Sequence, residues 1–120
     1  MNGVPDVMIR GQGLGFQLGW SAGSAGDVNN DSYDDVIIGV PGFDGIRSNE
    51  GMAHILYGGE SMDDIPDIEL VGEGENDRFG TSVSTAFDIL HDGFDDIIIG
   101  APFNTNNALY AGKTYLFAGF

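Results

Sequence analysis

The chain has 120 residues, 42 % of them apolar, and a formal net charge of −15 from 19 acidic side chains against four basic ones. That charge would repel nucleic-acid phosphates and anionic membrane surfaces, so nucleic acid is not expected as a partner. No cysteine is present, so disulfides and thiolate metal sites are excluded as well.

No segment approaches the ~20 apolar residues of a membrane-spanning helix, and no membrane insertion is expected. Met1 leads almost directly into a strand-like segment, and no signal peptide is visible. Twenty glycines and four prolines point to short strands joined by tight turns. Sliding the sequence by 61 positions aligns Asp6–Gly59 with Asp67–Phe120 without a gap, and sixteen pairs are identical, most of them Gly or Asp at turns. The chain thus divides into two units, residues 1–66 and 67–120.

In chain order, the first strand-like segment is Asp6–Arg10, whose Arg10 suits an outer edge. Gly11-Gln12-Gly13-Leu14-Gly15 follows as a turn, since no helix succeeds it as a dinucleotide loop requires. Gln17–Ala25 is rich in Gly, Ala and Ser, as expected where strands crowd around an axis. Next comes Asp27-Val28-Asn29-Asn30-Asp31-Ser32-Tyr33-Asp34-Asp35. Its side-chain oxygens at positions one, three, five and nine (Asp27, Asn29, Asp31, Asp35), with the Tyr33 carbonyl at seven, can converge on one hard cation at the ~2.3–2.6 Å that calcium prefers. An EF-hand is excluded, because position twelve is Ile38 and a β-branched segment follows. Asp35–Val40 is apolar on consecutive positions, so both of its faces must be buried. Met52–Tyr57 closes the first unit.

The second unit repeats these segments at Asp67–Val71, Arg78–Ala86, Asp96–Ala101 and Lys113–Phe117. Its acidic loop, Asp88 to Asp96, keeps Asp88, Asp92, Asp96 and the Phe94 carbonyl, but Leu90 stands where an oxygen is needed. A strong calcium site in the first loop and a weaker or absent one in the second follow. Four-stranded antiparallel sheets buried on both faces, with a small-residue inner strand and a polar outer one, describe two blades of an all-β propeller. His54 and His91 occupy non-equivalent positions, no Ser/His/Asp or paired-acid constellation is present, and no enzyme is expected. Asn30-Asp31-Ser32 fits a glycosylation sequon but lies inside the acidic loop.

At these residues the sequence resembles the FG-GAP repeats of the integrin α-chain β-propeller. Phe79-Gly80 and Gly100-Ala101-Pro102 carry the two landmarks of that repeat, with the variants Leu18-Gly19 and Gly39-Val40-Pro41 in the first unit. The resemblance implies a calcium ion in each intact loop and a secreted or cell-surface location. Leu90 and Ser32 depart from its pattern. It also implies that the segment before each Phe-Gly belongs to the preceding blade, so Asp67–Val71 completes the first blade and Asp6–Arg10 is the outer strand of a blade formed elsewhere. Two blades do not close a ring of ~4–8, so either a head-to-tail homo-oligomer is expected, a trimer or tetramer in which the ring is completed by oligomerisation, or the chain is a piece of a longer protein. The expected role is a scaffold or protein-binding surface. The alternative is a glycan-binding lectin using Trp20, Tyr33, Phe43 and Phe103 as sugar platforms.

Overall fold

A computed structural model describes residues 2–119. Seven strands form two antiparallel sheets. The first is β1 (Ser21–Gly26), β2 (Asp35–Val40), β3 (Met52–Leu56) and β4 (Ile68–Val71), ordered β1-β2-β3-β4. The second is β5 (Ser82–Phe87), β6 (Asp96–Ala101) and β7 (Lys113–Phe117), ordered β5-β6-β7. The architecture is all-β and built of propeller blades, and β4 completes the first blade as the resemblance implied.

The register sorts the side chains. Ile37 stands opposite Ile55, and Gly39 opposite Ala53. Ala53 and Ile55 pair in turn with Leu70 and Ile68, so these residues share the face turned toward the second sheet. There they meet Val83, Ile97, Ile99, Tyr115 and Phe117. The core therefore lies between the sheets, and Ile37, Ala53, Ile55, Ile97 and Ile99 are all fully buried. Each such isoleucine contributes roughly 1.5–3 kcal/mol relative to an exposed one.

Phe79 is the wedge of this interface. It makes a parallel bridge to Gly51, and its ring meets Tyr115 edge-on at 5.1 Å. Small residues let the backbones close in around it. A Cβ at Gly39 would run into the carbonyl oxygen of Gly80, to which the Ser21 hydroxyl donates a hydrogen bond of 2.9 Å.

Three expectations are corrected. Asp6–Arg10 forms no strand: Met8, Ile9 and Arg10 instead line a cavity of about 440 Å³ over the outer face of the first sheet, against Val40, Met52, His54 and Glu69. No strand of either sheet pairs with this segment among the described residues. The second segment starts at Ser21 and not at Gln17, because left-handed Gln17 (φ 65°) and Gly19 (φ 88°) turn the chain there, which leaves Trp20 before the strand. The consecutive apolar run of β6 is buried on one face only. Ile98 remains 37 % exposed where its counterpart Ile37 is fully covered, since no further sheet packs on that side.

The acidic loops as a candidate cation site

Each acidic loop joins the first two strands of its sheet, 27–35 between β1 and β2 and 88–96 between β5 and β6. Their backbones are the same conformation built twice. Asn30 and Ser32 are left-handed (φ 57° and 74°), as are His91 and Gly93 (φ 56° and 88°). Ser32 thus adopts the conformation for which the second loop uses glycine, at a local steric cost.

The carboxylates wind the chain around themselves. Asp27 accepts the Asp31 N–H on Oδ1 (3.1 Å) and the Ser32 N–H on Oδ2 (2.8 Å), and Asp31 Oδ1 accepts the Tyr33 N–H (3.0 Å). The second loop repeats the set: Asp88 accepts from Asp92 (2.9 Å) and Gly93 (3.0 Å), and Asp92 from Phe94 (3.1 Å). At Asp88 a burial effect that raises the carboxyl pKa is outweighed by these N–H donors, and the net result is a lowered value.

Asp35 and Asp96 lie beneath the loops. Asp35 is 1 % exposed and accepts from Val28 on Oδ2 and Gly58 on Oδ1, both at 2.9 Å. Asp96 is fully buried and accepts from Leu90 and Gly119, tying each loop to the end of the third strand. Burial pushes the Asp35 carboxyl above the usual range. The Gly58 and Val28 N–H groups pull it back, and the charges of Asp31 and Asp27 push it up again. Among the described residues no three carboxylates or imidazoles gather into one cluster.

In the first loop Asp27, Asn29 and Asp31 come together, with Asn29 Nδ2 donating to Asp31 Oδ2 at 3.1 Å. Asn29 Oδ1 is buried and has no hydrogen-bond partner. A buried amide oxygen without a donor costs free energy, and a hard cation is one group that satisfies it. Asp35, with one backbone donor on each oxygen, keeps lone pairs on both. The donor set therefore fits calcium. In the second loop Leu90 is 54 % exposed and supplies no oxygen beside Asp88 and Asp92.

One residue of this region escaped the one-three-five-nine pattern. Asp95 Oδ2 accepts the Asp27 N–H at 2.8 Å, while the Asp95 N–H donates to the Asp27 carbonyl at 3.0 Å. The eighth position of the second loop thereby latches onto the first position of the first loop. Gly26 permits this, since a Cβ there would run into the Asp95 carboxylate. The identity of Asp34 and Asp95 at a non-ligand position was the available signal.

Other candidate groups are dispersed. His91 is exposed, and His54 is buried across from Glu69 with Nδ1 lacking a partner. Burial depresses the His54 pKa, against a smaller upward pull from Glu69. Of the aromatic residues, Phe43 faces the cavity over the first sheet, packed edge-on against Phe16 at 5.3 Å, whereas Tyr33 borders a different, acidic cleft with Tyr57 and Asp67. Phe43 and Tyr33 thus border two separate clefts.

Residues 19–56 and 79–117 match the family model of the FG-GAP repeat. The chain is 36 % identical to integrin alpha-5 of Xenopus laevis over 116 residues, covering 92 % of this chain and 11 % of that protein. It is 34 % identical to human integrin alpha-7 over 118 residues, 97 % of this chain and 9 % of that one. Bovine phosphatidylinositol-glycan-specific phospholipase D is 31 % identical over 113 residues, 86 % of this chain and 13 % of the enzyme. The chain spans about a tenth of the length of these curated relatives.

Proposed function

Because the chain belongs to the FG-GAP repeat family, we infer that it is a noncatalytic, calcium-binding, integrin-like propeller module that serves as a scaffold or protein-interaction surface and assembles head to tail. The observation that carries the calcium assignment is the buried, unpartnered Oδ1 of Asn29 between two carboxylates. Asp27, Asn29, Asp31, Asp35 and the Tyr33 carbonyl would hold the ion in the first loop. Asp88, Asp92, Asp96 and the Phe94 carbonyl form a poorer set in the second. Bound calcium supplies positive charge where carboxylates otherwise repel one another across a turn, which stiffens the loop and the strands it joins.

Rigid loops are what a binding module needs, since residues already held in place lose little entropy on meeting a partner. Integrin chains among the relatives support a secreted or cell-surface setting for such a module.

Thermal unfolding in calcium and in EDTA tests the site. A ligand bound only to the native state at 100 times its Kd adds about 2.7 kcal/mol. Wild-type protein should melt higher in calcium, and Asn29→Ala, binding about tenfold more weakly, should lose about half of that gain. An unchanged melting curve together with no calcium by elemental analysis overturns the assignment.

A further inference from the structure

We propose that Asp95, a residue of the second acidic loop, is a positioning residue for the cation site of the first, and that through it the second unit sets how tightly the first binds calcium. This role presupposes the calcium assignment above, and it falls to a residue outside the ligand set.

The first loop does not hold its own first position. Asp27 spends its carboxylate on the Asp31 and Ser32 N–H groups, which fixes the turn relative to the Asp27 side chain. The Asp27 main chain lies where the ladder gives out. β1 has ended, Gly26 is left-handed (φ 71°), and the β1–β2 register shifts between Ser24, paired with Val36, and Gly26, paired with Asp35. A carboxylate at such a point moves with its backbone. Asp95 supplies the anchor from the other unit. Its Oδ2 accepts the Asp27 N–H at 2.8 Å and its own N–H donates to the Asp27 carbonyl at 3.0 Å, so one residue bonds both main-chain groups of Asp27. Beside it Val28 is fully buried and donates its N–H to Asp35 Oδ2 at 2.9 Å. Positions one and nine of the ligand set are thereby fixed against each other.

The contact is shaped on both sides. A Cβ at Gly26 would come within 2.5 Å of Asp95 Oδ2, and one at Gly119 within 2.8 Å of the Asp95 carbonyl oxygen and 3.0 Å of the Val28 carbonyl oxygen. Glycine at both places lets the two loops and the end of the second sheet's third strand close on one another. The second loop gives the contrast within the molecule. Its internal hydrogen bonds match those of the first, yet no side chain among the described residues accepts the Asp88 N–H. Phe87, 68 % exposed, stands there where the first unit has Gly26.

A site whose ligands are already in place binds more tightly than one that must first be ordered. Without Asp95 the Asp27 backbone takes up further conformations in the free protein, and calcium then has to fix a residue that the wild type holds in advance. Fixing one backbone costs enough to weaken binding about tenfold. By linkage, the bound ion strengthens the Asp27–Asp95 contact to the same extent.

Isothermal titration with calcium chloride in 0.15 M salt, where exposed charges are screened, reads the tighter site at a temperature where circular dichroism shows each protein folded. Asp95→Ala should weaken it about tenfold, and Asp95→Asn, which keeps an oxygen acceptor without the charge, about threefold. Asp34→Ala removes the same charge beside ligand Asp35 but no hydrogen bond, and should cost less than Asp95→Ala. Wild-type protein that takes up no calcium overturns the calcium reading and the positioning role with it. Equal affinity in wild type and Asp95→Ala overturns the positioning role alone, since a purely structural residue lowers Tm and leaves the affinity of the folded protein unchanged. Equal losses in Asp95→Ala and Asp34→Ala assign the effect to charge and overturn it as well. Amide hydrogen exchange of the wild type decides the matter if Asp95→Ala does not fold. One equivalent of calcium, filling the tighter first loop, should slow exchange of the Asp95 amide in the other loop about tenfold. An unchanged Asp95 amide overturns the role.

Discussion

Replacing Asp95 with alanine should destabilise the fold far more than the same change at its repeat counterpart Asp34. The Asp95 carboxylate accepts the Asp27 N–H at 2.8 Å across the two sheets, whereas the exposed Asp34 side chain has no hydrogen-bond partner among the described residues. A hydrogen bond to a charged group contributes ~1.5–3 kcal/mol. Asp27 is only half-buried, so water replaces part of the loss, which puts Asp95→Ala at about 1.5 kcal/mol. Asp34→Ala, a surface change, should fall within ~0.5 kcal/mol. At about 4 °C per kcal/mol for a domain of this size, the first lowers Tm by about 6 °C and the second by about 2 °C or less. Asp95→Asn keeps an oxygen acceptor and should recover about half of the loss. Urea unfolding in EDTA, at concentrations where the chain is monomeric, keeps calcium and assembly out of the comparison. Equal midpoints for the two alanine variants would refute the latch, because the two side chains differ chiefly in that one hydrogen bond.

Restoring an oxygen to the second loop with Leu90→Asn should add a second calcium equivalent in isothermal titration, and deleting one with Asn29→Ala should weaken the first by about tenfold or 1.4 kcal/mol. His54 gives a pH signature. Its folded pKa lies below the ordinary 6.5 because it is buried, with Glu69 opposite and Arg10 and Asp64 along the same cavity. A depressed pKa contributes stability above the unfolded value that is lost as pH falls through the folded one. His54→Leu should therefore gain in Tm relative to wild type as pH drops from 7 toward 5, and a constant gap between the two would count against burial of a neutral imidazole. Gly39→Ala should unfold the chain or lower Tm sharply, while Gly100→Ala should leave a monomer nearly unchanged, as circular dichroism melts of the pair will show.

Most of the strand pattern could be read in the sequence because period and composition are local. Asp35–Val40, Asp96–Ala101 and Lys113–Phe117 lie where the apolar runs placed them, and the ownership of Ile68–Val71 by the first sheet is as the resemblance to the FG-GAP repeat implied. Asp6–Arg10 failed for a non-local reason. Its side chains suit an edge strand, but a strand exists only where another edge meets it, and Met8 and Ile9 instead cover the nearest apolar face. Within the acidic loops, residue type and spacing named the carboxylates that organise the turn. They did not reveal that each oxygen of Asp35 and Asp96 also accepts one backbone N–H below the loop.

The sixteen identities of the repeat acquire a second meaning from the structure. Read along the chain, Gly11, Gly39, Ser21 and Asp34 look like turn and strand residues repeated because the unit is repeated. Their counterparts or partners in the other sequence unit show another cause: Gly39 clears the Gly80 carbonyl, Ser21 bonds it, Gly72 clears the Glu50 carbonyl where it continues the β3–β4 ladder, and Asp95 caps Asp27. A contact between units imposes one requirement on each side, and a repeat that stacks on itself carries both requirements in every copy. The second sheet keeps Ser82 and Gly100 with no neighbour to use them, and the first keeps Gly11 in the same condition. Phe87 stands in the second unit where the first has Gly26, so the space that admits Asp95 beside Asp27 is not repeated there.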